Sequence, residues 1–306
     1  MRTAYISHPA FLRHEVAGHH PESPSRLHAV DDRLIAAGLM DLLRHFEAPP
    51  VTREQLLRVH DAAYVDRVEQ QAPASGMIML DSDTPMGPHT LEAARRAAGA
   101  VVHAVDLVMA GKVENAFCGV RPPGHHAESD KAMGFCIFNN AAVGMAHAIA
   151  HHGLERVAIV DFDVHQGNGT EAIFRNEPRV RVFSSFQHPW YPYCNISDVP
   201  ANTILAPLKA GCGGTGFRNA VSNIFVPALE DFAPQMIFIS AGFDAHVEDD
   251  MGQIGLTEAD YMWITRELMN VAARHCENRI VSVLEGGYEP NPLGRCVSAH
   301  VKVLLG

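Results

Sequence analysis

The chain reads as an α/β protein built on a doubly wound parallel sheet. Three observations predict this. Short, wholly apolar runs of strand length recur along the sequence, segments of helical periodicity separate them, and 47% of the 306 residues are hydrophobic against 19% charged, enough for a sizeable core. No composition break, repeat or low-complexity linker interrupts the chain, so one domain over residues 1–306 is expected.

In order, "SRLHAVDDRLIAAGLMDLLRHF" sets Leu27, Val30, Leu34, Leu39 and Leu42 on one apolar stripe and is expected to form an amphipathic helix. A second helix should start at Thr52, whose Gln55 completes a capping box. Further helices are expected over residues 90–111, stopped by Gly111, and over 140–153, 217–230 and 257–276. Between them lie the short apolar runs "NAFCGV", "RVAIVDFD", "RVRVFSS", "QMIFISA" and "RIVSVLE", which alternate with the helices and read as strands of a parallel sheet covered on both faces. The Gly/Pro-rich stretches around 71–90 and 186–216 are expected to be long loops, where binding surfaces tend to be built.

Composition excludes several classes. A net charge of -11 with no Lys/Arg-rich block argues against nucleic-acid partners and against docking on an anionic membrane. The first twenty residues lack the apolar core of a signal peptide and no stretch is long and apolar enough to span a bilayer, so a cytoplasmic protein is expected. Cys118, Cys136, Cys194, Cys212, Cys276 and Cys296 show no CxxC spacing and are expected to be reduced, which argues against a thiolate metal site. Of the nineteen histidines, those on helical stretches such as His147, His151 and His152 read as solvated or core residues.

The polar clusters follow the strands. "RPPGHHAES", "DFDVHQGNG", "SSFQHPWYP", "AGFDAH" and "EGGYEP" each come after an apolar run, and the carboxyl edge of a parallel sheet is where ligands bind. On a continuing strand, Asp161, Asp163 and His165 would share one face, so Asp163 and His165 can grip a cation while Asp161 lies deeper. Asp244 occupies the corresponding place on another strand. Two carboxylates and an imidazole leave positions open for water and substrate, the pattern of a catalytic zinc site that Fe(II) would also accept. A strand-end carboxylate cluster is the structural alternative; convergence with "AGFD" weighs against it, because adjacent buried aspartates repel unless a cation neutralises them. The rigid "RPPG" turn presents His125 and His126 as proton-transfer groups, with Asp161 and Asn168 as acceptors for their second nitrogens. Tyr288, after Gly286 and Gly287, can polarise a substrate carbonyl. Phe135, Trp190 and Tyr191 are candidate aromatic walls or ordinary core.

"RPPGHHA", "GFCIFNNAAVG", "VAIVDFDVHQGNGT", "SAGFDAH" and "EGGY", together with "GHHPESPSRL" near the start, resemble the zinc-dependent histone deacetylase superfamily over nearly the whole chain. The resemblance implies an arginase-like α/β fold with an eight-stranded parallel sheet, and hydrolysis of an acyl amide on a primary amine. It implies zinc on Asp163, His165 and Asp244, His126 as general base and acid, His125 as its electrostatic partner oriented by Asp161, and Tyr288 as the carbonyl-polarising group. Asn168 makes the chain class II-like. Gly134 and Phe135 would line an acyl-lysine tunnel facing Tyr191, and Asp83 would anchor a peptide backbone at the rim. A structural potassium ion would use Asp161, Asp163, His165 and Ser184, although "SSFQHPWYPYCN" departs from the family's usual run there. Met251 stands where polyamine-selective members carry a glutamate, which favours acyl-lysine; Glu248, Asp249 and Asp250 around it would still attract a cationic tail. The expected partner is an acyl-lysine peptide or a small acylated amine, and nothing in the sequence excludes a homo-oligomer. The alternatives are an acetylpolyamine amidohydrolase and a non-catalytic acyl-lysine or metal-binding scaffold. A two-manganese ureohydrolase lacks its second set of bridging carboxylates here.

Overall fold

The computed structural model describes every residue except Met1, Ala17 and His19. Among the described residues ten strands are formed: β1 (Thr3–Ser7), β2 (Arg44–Glu47), β3 (Ile78–Met79), β4 (Pro85–Met86), β5 (Asn115–Cys118), β6 (Val157–Asp161), β7 (Val180–Gln187), β8 (Thr203–Leu208), β9 (Met236–Ala241) and β10 (Ile280–Leu284). Eight make one sheet in the order β2-β1-β5-β10-β9-β6-β7-β8, and every neighbouring pair in it is parallel. All residues of the four adjacent strands β5, β10, β9 and β6 are buried, which is why their sequences read as unbroken apolar runs. β3 and β4 pair as a small antiparallel hairpin inside the stretch expected to be loop.

Helices cover the sheet. Thr90–Met109 packs on Asn140–His152, and Pro290–Leu305 packs on both Ser25–Ala36 and Glu258–His275. Gly111 (φ 63°) and Gly153 (φ 68°) take the left-handed conformation that ends the two central helices where the glycines predict it. The Thr52/Gln55 capping box forms, Gln55 N donating to Thr52 Oγ1 at 3.2 Å and Thr52 N to Gln55 Oε1 at 2.9 Å; the helix it starts is short, Arg53–Leu56.

Two expectations change. The helix expected over residues 25–46 covers only Ser25–Ala36: Gly38 at φ 67° breaks it, and "RHFE" becomes edge strand β2. Leu42, placed on the buried stripe by periodicity, is 62% exposed. The helix expected over 217–230 begins earlier, at Gly213, and reaches Phe232 through a π-helical stretch at Val221–Phe225. The sequence reading places no strand at β1, β2 or β8 and no helix at Asn168–Phe174 or Pro290–Leu305, and β8 falls inside the 186–216 stretch expected to be loop. Among the described residues no helix is long and apolar enough to cross a membrane.

Candidate active site

The carboxyl ends of β5, β10, β9 and β6 lie side by side, and the segments leaving them carry the clustered polar residues. β6 stops at Asp161, which corrects the period-two argument: Asp163 and His165 do not continue the strand but sit on the bend leading into helix Asn168–Phe174. Their convergence comes from local side-chain bonds. Asp161 Oδ1 accepts the Asp163 N–H at 3.0 Å and Asp163 Oδ1 accepts the His165 N–H at 2.9 Å, so each carboxylate folds the chain two residues on. Asp244 joins from the turn after β9, its Oδ1 accepting the Val164 N–H at 2.8 Å.

His165 Nδ1 then faces both carboxylates, 3.0 Å from Asp163 Oδ1 and 3.3 Å from Asp244 Oδ2. One ligand atom from each of the three residues lies within 4.8 Å of the others, and all three residues are buried. Gly242 and Gly286 make room: a Cβ on Gly242 would collide with Asp163 Oδ2, and one on Gly286 with the carboxylates of both Asp163 and Asp244. Asp244 Oδ2 is buried and has no hydrogen-bond partner among the described residues. Burial and the adjacent Asp163 charge push the Asp244 carboxyl up to about 7. Two buried carboxylates and an imidazole with one oxygen unsatisfied are a donor set short of a cation, and this oxygen-nitrogen set fits zinc.

The histidine pair stands over these ligands. His125 Nδ1–H donates to Asp161 Oδ2 at 2.9 Å, and His125 Nε2 lies 3.8 Å from Asp163 Oδ2. Burial alone would lower His125; the charges of Asp161 and Asp163 reverse this and raise it well above the ordinary histidine value. His126 differs. Its Nδ1 meets Asn168 Oδ1 at 2.7 Å, while Asn168 Nδ2 donates to Glu128 Oε1 at 2.8 Å. The carboxylate fixes which way the amide points, so His126 carries its proton on Nδ1 and keeps the Nε2 lone pair. Burial, then the positive charges of His125 and His165, hold His126 well below its ordinary value.

A cavity of about 250 Å³ opens onto His126 and His165; Asp83, Gly134, Phe135, Trp190, Tyr191, Tyr193, Asp250, Met251 and Tyr288 also line it. Asp83, Gly134, Phe135, Tyr191 and Met251, placed at the tunnel and rim from sequence, thus line one pocket. Gly134 (φ 56°) and Phe135 (φ 68°) are both left-handed, held there by Asp83 Oδ1 accepting the Gly134 N–H at 3.0 Å and Thr84 Oγ1 accepting the Phe135 N–H at 3.2 Å. The Tyr191 ring stands edge-on to His126 (5.2 Å between centroids) and to His165 (5.8 Å), and Phe135 is edge-on to Tyr288 at 5.6 Å. Ser184 pairs in register with Asp161 across β6 and β7, and its buried Oγ has no hydrogen-bond partner among the described residues.

The acidic rim differs from expectation. Asp249 is buried and committed to the backbone: Oδ2 accepts the Tyr288 N–H at 2.6 Å and the Glu289 N–H at 3.1 Å, and Oδ1 the Met251 N–H at 2.9 Å. Glu248 pairs with Arg295 at 2.6 Å. Only Asp250 of the three faces the pocket. The tyrosine loop has further supports that sequence reasoning missed. Glu285 Oε2 accepts the Gly124 and His125 N–H groups at 2.7 and 3.1 Å, tying the histidine turn to β10. Arg26 Nε donates to Gly287 O at 2.6 Å, its second arm reaches Glu285 O, and its guanidinium lies 4.8 Å from the Tyr288 ring centre. Glu22 neutralises both Arg26 and Arg121, at 3.2 and 2.5 Å. The charged residues in "HPESPSR" and "EGGY" were the available signals; neither says what it will touch.

Fold and site together define an α/β protein of the arginase/deacetylase-like fold, with a buried carboxylate–imidazole cluster whose His165 lines a pocket. Residues 20–304 match the histone deacetylase domain. A histone deacetylase-like amidohydrolase of Pseudomonas aeruginosa is 39% identical over 297 residues, covering 95% of this chain and 78% of the relative. A probable deacetylase of Archaeoglobus fulgidus is 37% identical over 299 residues, covering 94% and 82%. The polyamine deacetylase HDAC10 of Homo sapiens is 35% identical over 305 residues, covering 93% of this chain and 44% of that protein. The crystal structure of the HDA15 HD domain matches with a TM-score of 0.93 at 33% identity, covering all of this chain and 88% of that one. The chain belongs to the histone deacetylase family. Family and relatives support amidohydrolase activity of the deacetylase type.

Proposed function

We propose that this chain is a zinc-dependent amidohydrolase that removes acetyl or other acyl groups from N-ε-acyl-lysine or a similar acylated primary amine. The observation that carries this reading is the meeting of Asp163, His165 and Asp244 beside a pocket of about 250 Å³ that His165 and His126 both line. Zinc held by those three residues would act as a Lewis acid on the amide carbonyl and on water. Gly134, Phe135 and Tyr191 would enclose the acyl-lysine stem and keep bulk water from it. His126 Nε2, with its free lone pair, would take a proton from the attacking water and return it to the leaving amine, giving a carboxylate and a primary amine. His125, held protonated beside Asp161, would add positive charge next to the developing oxyanion. The Tyr288 phenol, raised well above its ordinary value by burial, stays protonated and would donate to that oxygen.

Two finer assignments belong to the same reading. The orphaned Ser184 Oγ and its register with Asp161 support a structural potassium ion at Asp161, Asp163, His165 and Ser184. Met251 at the rim favours acyl-lysine, whereas Asp250 in the same pocket favours a cationic amine such as an acetylpolyamine. The test is a substrate panel on the zinc-loaded enzyme: acyl-lysine peptides of several acyl lengths against acetylputrescine, with and without chelator. Hydrolysis that survives complete chelation, or that survives Asp244→Asn, would overturn the metal reading. A higher kcat/KM for acetylputrescine would replace the lysine substrate by the polyamine.

A further inference from the structure

Far from the pocket, the carboxyl end of helix Asn140–His152 gathers histidines that the catalytic site does not use. His147 and His151 stack one turn apart with ring centroids 4.9 Å apart and planes at 14°, and His152 stands edge-on to them at 5.5 and 4.8 Å. Asp106 reaches across from helix Thr90–Met109, and its Oδ1 lies 2.8 Å from Nε2 of both His147 and His152. One ligand atom from each of the four residues falls within 4.8 Å of the others. We propose that Asp106, His147, His151 and His152 form a second divalent metal site, taking zinc or a similar transition ion as a staple between the two helices.

The chemistry favours such an ion. Three imidazoles and one carboxylate form the closed four-ligand set of a structural zinc site, too nitrogen-rich for magnesium or calcium. The site sits on the last turn of its helix, where the dipole adds negative potential. His147 is buried between the two helices, with Asp106 Oδ1 at 2.8 Å. His151 makes no hydrogen bond among the described residues and leaves its nitrogens available.

One neighbour must move. Arg58 Nη1 donates to His147 Nδ1 at 3.0 Å, which places the imidazole proton on Nε2. Binding through Nε2 shifts that proton to Nδ1, and Arg58 must turn away, keeping its other bond, to Glu54 at 2.9 Å. A flexible side chain can do this. A second buried cluster, His246, Glu258 and Cys296, fails on the same point: the Glu248 backbone N–H donates to His246 Nδ1 at 3.1 Å and cannot withdraw, so Nε2 keeps its proton.

The test compares full-length wild type with a His151→Ala/His152→Ala double variant. Both are equilibrated with Zn2+ by dialysis and analysed for metal per chain, so zinc at the catalytic pocket subtracts out. Wild type is expected to hold one more equivalent, with deacylation of an acetyl-lysine peptide unchanged between the two. Equal zinc content in a folded double variant overturns the site. Arg58→Gln removes the competitor for His147 and is expected to tighten the additional ion; unchanged or weaker binding overturns the ligand role of His147. A ligand-field band present in the Co2+-loaded wild type and missing from the double variant gives an independent readout, and identical spectra count against the proposal.

Discussion

Asp249 offers the sharpest perturbation of the proposed chemistry, because it touches Tyr288 only through the backbone. Its two carboxylate oxygens accept three backbone N–H groups, at 2.6, 2.9 and 3.1 Å, and two of these belong to Tyr288 and Glu289. A hydrogen bond to a charged group is worth roughly 1.5–3 kcal/mol, so Asp249→Ala removes about 3–6 kcal/mol of restraint from the tyrosine loop. The reaction can lose only what the phenol contributes. One oxyanion donor supplies about 2.7–4 kcal/mol, which sets a ceiling of roughly 10²–10³-fold. We therefore expect kcat to fall between about 10-fold and that ceiling, since small misplacement of a catalytic group is enough to cost about 10²-fold. KM and zinc content should stay near wild type, because Asp163, His165 and Asp244 are untouched. Asp249→Asn keeps an acceptor on one side and should recover part of the loss. The assay is steady-state kinetics on an acetyl-lysine peptide for wild type, Asp249→Ala, Tyr288→Phe and the double variant. In the double variant the Asp249 change should add little, because the group it positions is gone. A full second loss in the Tyr288→Phe background, or an Asp249→Ala enzyme within about twofold of wild type, would refute the reasoning.

Gly134→Ala should lower kcat and destabilise the pocket: φ is 56°, and the new Cβ would meet His126 Cγ at 2.8 Å. Gly76→Ala at φ 72°, with nothing within 4 Å of its Cβ, is the control for backbone strain alone; equal loss of activity in the two variants would remove His126 from the explanation. Stability should fall in acid because of His60, whose Nδ1–H donates to Glu128 O at 2.9 Å while Nε2 accepts the Asn139 N–H at 3.0 Å. Burial holds it down to about 4, so between there and the ordinary value of 6.5 the unfolded chain binds a proton that the native state refuses. Its contribution is complete above about pH 6.5 and is lost progressively toward pH 4, by roughly 3 kcal/mol. Urea unfolding at several pH values should show a shallower acid loss in His60→Gln than in wild type; parallel curves would rule this out.

Much of the fold was legible because burial writes itself into composition. Strands β5, β6, β9 and β10 are covered on both faces, so their residues are mostly apolar without regular alternation, and Gly111 and Gly153 mark helix ends through a backbone conformation other residues avoid. Strand β2 reads as the end of a helix because "RHFE" is a largely exposed edge without an apolar run, and β8 lies in a stretch whose glycines and prolines read as loop. The cluster of Asp163, His165 and Asp244 and the histidine pair were legible because unusual ionisable residues followed strands, and a parallel sheet gathers its carboxyl ends along one edge. How they converge was not: the bend at Asp163 and His165 depends on N–H groups two residues on, not on strand period.

The sequence by itself determined which residue types stand at the sheet edge, since chemistry of that kind needs carboxylates, imidazoles and a phenol whatever surrounds them. Tertiary structure decided how each is spent. Asp249 and Asp250 are neighbours with the same side chain, yet one is buried under the tyrosine loop and the other lines the pocket. His147, His151 and His152 looked like ordinary helical histidines until Asp106 on another helix came within 2.8 Å. Identity is local, whereas burial, hydrogen-bond partners and the field of distant charges arise only once segments far apart in the chain are packed together.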